Sequence, residues 1–339
     1  MALPDQVLTQ RPKTGPLVDR FARAHTYVRV SVTDRCNYRC VYCLPATGVE
    51  WMPRANLLTF EEIVRIVRGL ASMGVTGVRL TGGEPTVRRG LPDLVRELSA
   101  IPGILDIAMT TNAHHLAKHA EHLAIAGLNR INVSLDTLDA ERFVALTRGG
   151  NVERVLAGIH AALEHGLTPV KINCVVVKGE NEQDILPLIE YFSQWPDAVQ
   201  VRFIEKMPFR DEANTTVPSA TLRARVGKTL QLERVARVAG RGPSVNWRVA
   251  STGQTIGFIS PMTEHFCEQC NRLRLQADGD LRTCLSRDDT PNLRDVLRTG
   301  LTDDALASLL REMVWGKVAG HEAHTGKQNF EGVMTQIGG

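Results

Sequence analysis

An excess of charge of either sign is missing from this chain of 339 residues. Forty Lys and Arg stand against 37 Asp and Glu, a formal net charge of +3. That is too little to coat a nucleic acid, so any cationic role must be local. Long apolar runs are missing too. None approaches the ~20 residues that span a bilayer, and residues 1–20 contain no apolar signal-peptide core. The expectation is a cytoplasmic protein with neither a membrane nor a nucleic-acid partner. Low-complexity segments are also absent. Cysteines number seven, and six of them fall in two clusters. In a reducing compartment, clustered cysteines point to metal or redox chemistry rather than to a disulfide framework. Hydrophobic residues make up 43% of the chain, enough for a sizeable core.

Past a polar arm (residues 1–25), strand-like and helix-like patterns alternate. Strands are predicted at 27–33, 77–82, 105–111, 129–135, 169–177 and 199–205. The clearest helix opens at Thr59 with Glu62 three residues on, a capping box, and carries Ile63, Ile66, Val67 and Leu70 on one stripe. It should stop at Gly74. Alternating strands and helices imply parallel pairing through right-handed crossovers. Six such units (26–206) predict an α/β fold: a partial, open (β/α)6 barrel of the TIM type. From 207 to 339 the pattern changes to a mixed α+β extension expected to cover the open side. Hairpins are predicted at 246–260 and 273–284, and helices at 218–230, 291–298 and 302–315.

Each predicted barrel strand has one apolar register and one polar register. The polar register holds Arg29, Ser31 and Thr33, Arg79 and Thr81, Thr110, Asn132 and Ser134, Lys171 and Asn173, and Arg202. Strands buried on both faces normally read as continuous Val, Ile and Leu. One face should therefore meet the helices, and the other should line a wet, ligand-filled interior. A merely solvated face would also alternate, but it does not explain four cations in the same register.

"CNYRCVYC" places Cys36, Cys40 and Cys43 in a loop after the first strand, at the end of an α/β barrel where chemistry is found. "TGGEP" (81–85) ends the next strand, and its two glycines would expose backbone to a close-approaching ligand. Three thiolates suit a zinc ion completed by a distant ligand. They also suit a [4Fe–4S] cluster held at three corners with one iron open. A second triad, Cys267, Cys270 and Cys284, has the same two readings, with His265 as a fourth zinc ligand. Arg272 and Arg274 lie inside it, where a structural zinc site has no need of them and an anion site does. Cys174 alternates with Ile172 and Val176 and reads as core.

The first triad with Tyr42 before its last cysteine, followed by "GGEP", resembles the radical S-adenosylmethionine enzymes. Adding "RFIEKMP" (202–208), the second triad with "NRLRL", and the pair Gly338–Gly339, the chain resembles the GTP 3′,8-cyclases, which open molybdenum cofactor biosynthesis. The resemblance implies two [4Fe–4S] clusters, S-adenosylmethionine as cofactor and GTP as substrate. A 5′-deoxyadenosyl radical would take hydrogen from ribose C3′, which then bonds guanine C8. It implies that Cys36, Cys40 and Cys43 hold the first cluster and Cys267, Cys270 and Cys284 the second. Tyr42, Gly83, Ser134 and Met207 fall at cofactor positions. Arg29, Arg79, Thr110, Lys171, Arg272, Leu273 and Arg274 fall at GTP positions. Arg29, Gly338 and Gly339 fall at catalytic ones, the glycine pair projecting into the site. Expected partners are a flavodoxin- or ferredoxin-type electron donor and a cyclic pyranopterin monophosphate synthase, with a homodimer possible.

Two other readings remain. A peptide-modifying two-cluster radical enzyme would carry more cysteines in its extension. A non-catalytic, zinc-dependent nucleotide sensor would be colourless, whereas an iron–sulfur protein purified without oxygen is brown.

Overall fold

The structure, a computed structural model, describes residues 7–207, 215–236, 242–264, 266–285, 291–320 and 335. The expected alternation is present: β1 (Tyr27–Ser31), α1 (Phe60–Ala71), β2 (Gly77–Thr81), α2 (Leu91–Ser99), β3 (Asp106–Thr111), α3 (Ala120–Ile125), β4 (Arg130–Ser134), α4 (Ala140–Thr147), α5 (Val152–Glu164), β5 (Val170–Val176), α6 (Ile185–Phe192) and β6 (Val199–Glu205). Helix α1 starts as predicted. The Thr59 hydroxyl accepts from the Glu62 N–H, and the Glu62 carboxylate accepts from the Thr59 N–H. Such a cap contributes about 1 kcal/mol. Its stripe Ile63, Ile66, Val67 and Leu70 is fully buried. The chain leaves the helix through Gly74 at φ +94°, a conformation that disfavours any side chain.

Strands β1 to β6 pair in sequence order, each parallel to the next. Their apolar register (Val28 and Val30, Val78 and Leu80, Ile131 and Val133, Ile172 and Cys174) is essentially inaccessible to water, and the helices cover it. Cys174 is core, as expected. The sheet runs in a line and does not close, which is the open partial barrel.

The extension does more than cover the open side. It supplies α7 (Ser219–Gly227), β7 (Leu232–Arg234), β8 (Val245–Val249), β9 (Thr255–Ile259), β10 (Arg272–Leu275), β11 (Leu281–Arg282), α8 (Leu293–Arg298) and α9 (Asp303–Trp315). Strand β10 pairs parallel beside β1, and β9 parallel beside β6. Both hairpins form, β8 against β9 and β10 against β11. Both edges of the six-stranded sheet are thus capped by later strands, which satisfies backbone groups an edge would leave open. Glu205, at the end of β6, ties the two parts together. Its buried carboxylate accepts from the backbone N–H groups of Ser219 at 2.8 Å, Met262 at 3.0 Å and Thr263 at 3.1 Å.

The arm is not simply polar. Leu17, Asp19, Arg23 and His25 are buried, and Val18 bridges Ala24 to close a tight turn against the sheet.

Candidate active site between two cysteine triads

Topology places the triads at opposite ends of the interior. Cys36, Cys40 and Cys43 follow the C-terminal end of β1. Cys270 precedes β10, whose first residue, Arg272, pairs with Tyr27 at the start of β1. Strand β11 runs back antiparallel to β10 and delivers Cys284 to that same end. Between the two ends lies the length of a five-residue strand, four steps of about 3.3 Å each.

Across this span run the cations. Arg274, Arg29 and Arg79 are laterally paired on β10, β1 and β2, neighbours about 4.8 Å apart in strand spacing. Asn132 pairs with Lys171, and Asn173 with Arg202, on β4, β5 and β6. The Arg79 guanidinium donates to the Tyr27 hydroxyl at 2.6 Å and the Thr110 hydroxyl at 3.4 Å. Arg202 donates twice to Asn173 Oδ1, at 2.9 and 2.6 Å. Asp106, whose charge acts on Lys171, is already paired with Arg130.

The cations depress one another. Burial, then Arg274 and Arg79, pushes Arg29 well below the usual arginine range. Burial, then Arg79 and Arg130, takes Arg202 down to about 9. Burial, then Arg202, Arg130 and Arg79, takes Lys171 down to about 7. Burial, then Arg272, takes Arg274 down to about 10. Like charges set side by side oppose folding. Such an array is suited to receive a polyanion.

The first triad is built for a cationic metal group. Burial and mutual repulsion raise its thiols: Cys36 to about 11, with burial the main cause, Cys43 to about 12 from burial and Cys36, and Cys40 well above the usual range from burial, Asp136 and the other two cysteines. As free thiols they would stay protonated, and a bound cationic metal would reverse that. N–H groups already aim at the sulfurs. The Tyr38 N–H lies 3.4 Å and Asn112 Nδ2 3.9 Å from Cys36 Sγ, and the Thr335 backbone donates to Cys43. Among the described residues, no three His, Cys, Asp or Glu side chains converge on a point as one ion requires. Three buried sulfurs close enough to raise one another suit a [4Fe–4S] cluster held at three corners with one iron open.

The second triad sits in a different field. Burial would raise the Cys270 thiol, but the Lys317 ammonium and the Arg272 guanidinium outweigh it and bring the thiol down to about 6. The field at Cys270 thus favours the thiolate that a metal ligand needs. His265 lies outside the described residues.

Several expectations change in detail. Leu273 pairs with Val28 on the apolar register and is fully buried in the core. Its side chain faces away from the interior, so only its main chain could meet a ligand. The two glycines of "TGGEP" make room first for the chain itself: a Cβ on Gly82 would sit 2.4 Å from the Thr33 carbonyl, and one on Gly83 2.3 Å from that of Arg35. They let the β2 turn lock onto the segment leading to Cys36. Glu84 completes the lock from a buried position, accepting from Thr86 N–H at 3.0 Å, Thr111 Oγ1 at 2.7 Å and Asn112 N–H at 2.7 Å. Tyr42 donates to Asp136 Oδ2 at 2.6 Å, which anchors the last cysteine to the end of β4. Ser134 and Met207 stand at the C-terminal ends of β4 and β6, on the side of the first triad. Gly338 and Gly339 lie outside the described residues.

Sequence reasoning left Arg202 out of the site although the polar register contained it. Glu84, though part of "TGGEP", and Asp136, two residues past Ser134 in the same register, were likewise not assigned to the site, and Lys317 was missed.

Comparison with known proteins agrees with this geometry. Residues 30–192 match the family described as "Radical SAM superfamily", where SAM is S-adenosylmethionine, and residues 199–323 match "Molybdenum Cofactor Synthesis C". A GTP 3′,8-cyclase of Hydrogenovibrio crunogenus is 42% identical over 331 residues, covering 95% of this chain and 99% of the relative. One from Moorella thermoacetica is 43% identical over 324 residues, with the same coverage of each chain. Among solved structures, Streptococcus suis SuiB bound to S-adenosylmethionine superposes with a TM-score of 0.58 over 84% of this chain and 68% of its own. At 16% identity that likeness establishes the fold alone. Two triads facing each other across a row of cations, on this fold and at this level of identity, mean that the chain belongs to the GTP 3′,8-cyclase family of radical S-adenosylmethionine enzymes.

Proposed function

We propose that this protein is a GTP 3′,8-cyclase acting at the first step of molybdenum cofactor biosynthesis. The observation that carries this reading is the interior cation array lying between two differently tuned cysteine triads. When bound, S-adenosylmethionine and the two [4Fe–4S] clusters supply the radical chemistry that takes hydrogen from ribose C3′ and joins C3′ to guanine C8.

What the chain does is bind, orient and shield. Arg29, Arg79, Lys171 and Arg274, with Arg202, receive the triphosphate. A tetra-anion buried among guanidinium and ammonium groups gains charge-assisted hydrogen bonds that water would otherwise provide. Thr110 keeps Arg79 turned inward. Arg272 and the Leu273 main chain lead to the second triad, where the base is held. Cys36, Cys40 and Cys43, with Tyr42, Gly83, Ser134 and Met207, form the cofactor end. The ribose then lies between the ends, out of bulk water, so a reactive species formed there meets substrate before solvent.

A low-potential electron donor of the flavodoxin or ferredoxin type and a cyclic pyranopterin monophosphate synthase are the partners this reading calls for. The cytoplasm is the compartment that suits reduced clusters. No helix among the described residues is long and apolar enough to cross a membrane.

The test is anaerobic turnover with GTP, S-adenosylmethionine and a reductant, comparing the parent with Arg29→Ala and Arg79→Ala. The parent should form the cyclised nucleotide. Each variant should lose about 10²-fold or more in kcat/KM, because removing one partner of a buried ion pair costs about 3–5 kcal/mol. Melting temperature should hold or rise, since a repulsion is removed. A large drop in melting temperature with unchanged kinetics would make these arginines structural ion-pair members instead.

A further inference from the structure

Lys317 follows α9 and is almost completely buried, at 2% exposure. A lysine so placed normally needs a carboxylate. Among the described residues its ammonium instead donates to Cys270 Sγ at 3.5 Å and to the Arg272 carbonyl at 2.8 Å. The nearby carboxylate, Asp19, is already committed. It accepts from Arg23 Nε at 2.7 Å, the Arg23 N–H at 3.1 Å, the Phe21 N–H at 2.9 Å and His25 Nε2 at 3.0 Å. Arg23 in turn donates to the carbonyls of Cys267 at 2.8 Å, Val318 at 2.6 Å and Ala319 at 2.8 Å. The N-terminal turn thus fastens the segment carrying Lys317 to the loop carrying the second triad. Of the two acceptors that this ammonium has among the described residues, Cys270 Sγ is the one that can carry a full negative charge, and it belongs to the second triad.

We propose that Lys317 is a positioning and charge-setting residue of the second cluster. Its fixed positive charge against Cys270 favours the reduced form of that cluster, and its bond to Arg272 holds the substrate-binding strand in register with it. The Asp19–Arg23–His25 turn is the brace that keeps Lys317 in place. This rests on the reading of Cys267, Cys270 and Cys284 as cluster ligands. The geometry itself, one ammonium bridging a ligand sulfur and the main chain of a GTP-binding residue, belongs to this chain.

The experiment uses full-length protein reconstituted without oxygen, with Cys36, Cys40 and Cys43 replaced by Ala so that only the second cluster remains. Iron content and the cluster's midpoint potential, from a redox titration followed by electron paramagnetic resonance, are compared for Lys317, Lys317→Met and Lys317→Arg. With iron content equal, Lys317→Met should lower the potential by at least the equivalent of tenfold in the reduction equilibrium, about 59 mV for one electron. Lys317→Arg should recover most of the shift. An unmoved potential at equal iron would overturn the proposal while leaving the second cluster in place.

Should the Met variant fail to hold iron, unsubstituted Lys317 labelled with 15N at Nζ decides the matter. Nitrogen modulation at the reduced cluster supports the contact, and its absence overturns it. A triple-Ala parent that holds no iron at all would refute the two-cluster reading and this inference with it.

Discussion

Replacing Cys267, Cys270 and Cys284 together with Ala should remove about half of the roughly eight irons of the reconstituted protein, abolish GTP cyclisation and leave S-adenosylmethionine cleavage in place. The separation of effects follows from topology. The first triad hangs from the C-terminal end of β1, and its N–H donors come from Tyr38, Asn112 and Thr335, none of them near the second triad in the chain. The second hangs from the N-terminal end of β10 and is fastened by Arg23 and Lys317. No cysteine belongs to both. Iron analysis, cleavage of S-adenosylmethionine and product formation are measured on one preparation. Loss of all the iron would mean that the sites are not independent, and surviving cyclisation would remove the second triad from the substrate's environment.

Deleting Gly338 and Gly339 should reduce cyclised product by about 10²-fold or more, the order expected when a group acting only at the reacting centre is lost. Iron content, melting temperature and S-adenosylmethionine cleavage should be nearly unchanged. Thr335 supplies the structural ground. It is 2% exposed, and its backbone N–H donates to Cys43. Four residues of fully extended chain reach at most about 14 Å, and Thr335 itself is already at the first triad. Glycine has no side chain to collide with bound ligands in a narrow interior. Ordering glycine costs more backbone entropy than ordering other residues, so a tail held there must make specific contacts. A peptide ending in the same residues, added in trans to the truncated protein, should restore part of the activity. Full activity after truncation would reduce the pair to a dispensable end.

What could be read from the sequence was local. The strands announced themselves by alternation, α1 by its capping box, and the triads by spacing. The cation array was visible because parallel strands keep one register on one face, so Arg29, Arg79, Lys171 and Arg202 could be grouped without knowing their neighbours. What could not be read depended on long-range pairing. Asn271 donates to Thr26 at 2.8 Å across 245 positions, and no local pattern reveals that β10 lies beside β1. That pairing completes the arginine row with Arg274 and turns the Leu273 side chain into the core.

Lys317 was hidden for a related reason. A lysine just past a helix C-terminus ordinarily complements the helix dipole at the surface. Among the described residues it is the buried Asp19–Arg23 turn, nearly 300 positions away in the chain, that holds its segment inward. The glycines of "TGGEP" were correctly singled out as places of close approach. The approaching group is the backbone of Thr33 to Arg35, a contact that spacing alone does not distinguish from a ligand.

The central claim is that one interior volume brings the GTP ribose to the chemistry of the first triad while the cation row and second triad hold the two ends of the nucleotide. Turnover with GTP carrying deuterium at C3′ tests it most directly. The predicted result is deuterium in the recovered 5′-deoxyadenosine in step with cyclised product, and a loss of both together in Arg79→Ala. Cyclised product accompanied by unlabelled 5′-deoxyadenosine would contradict it.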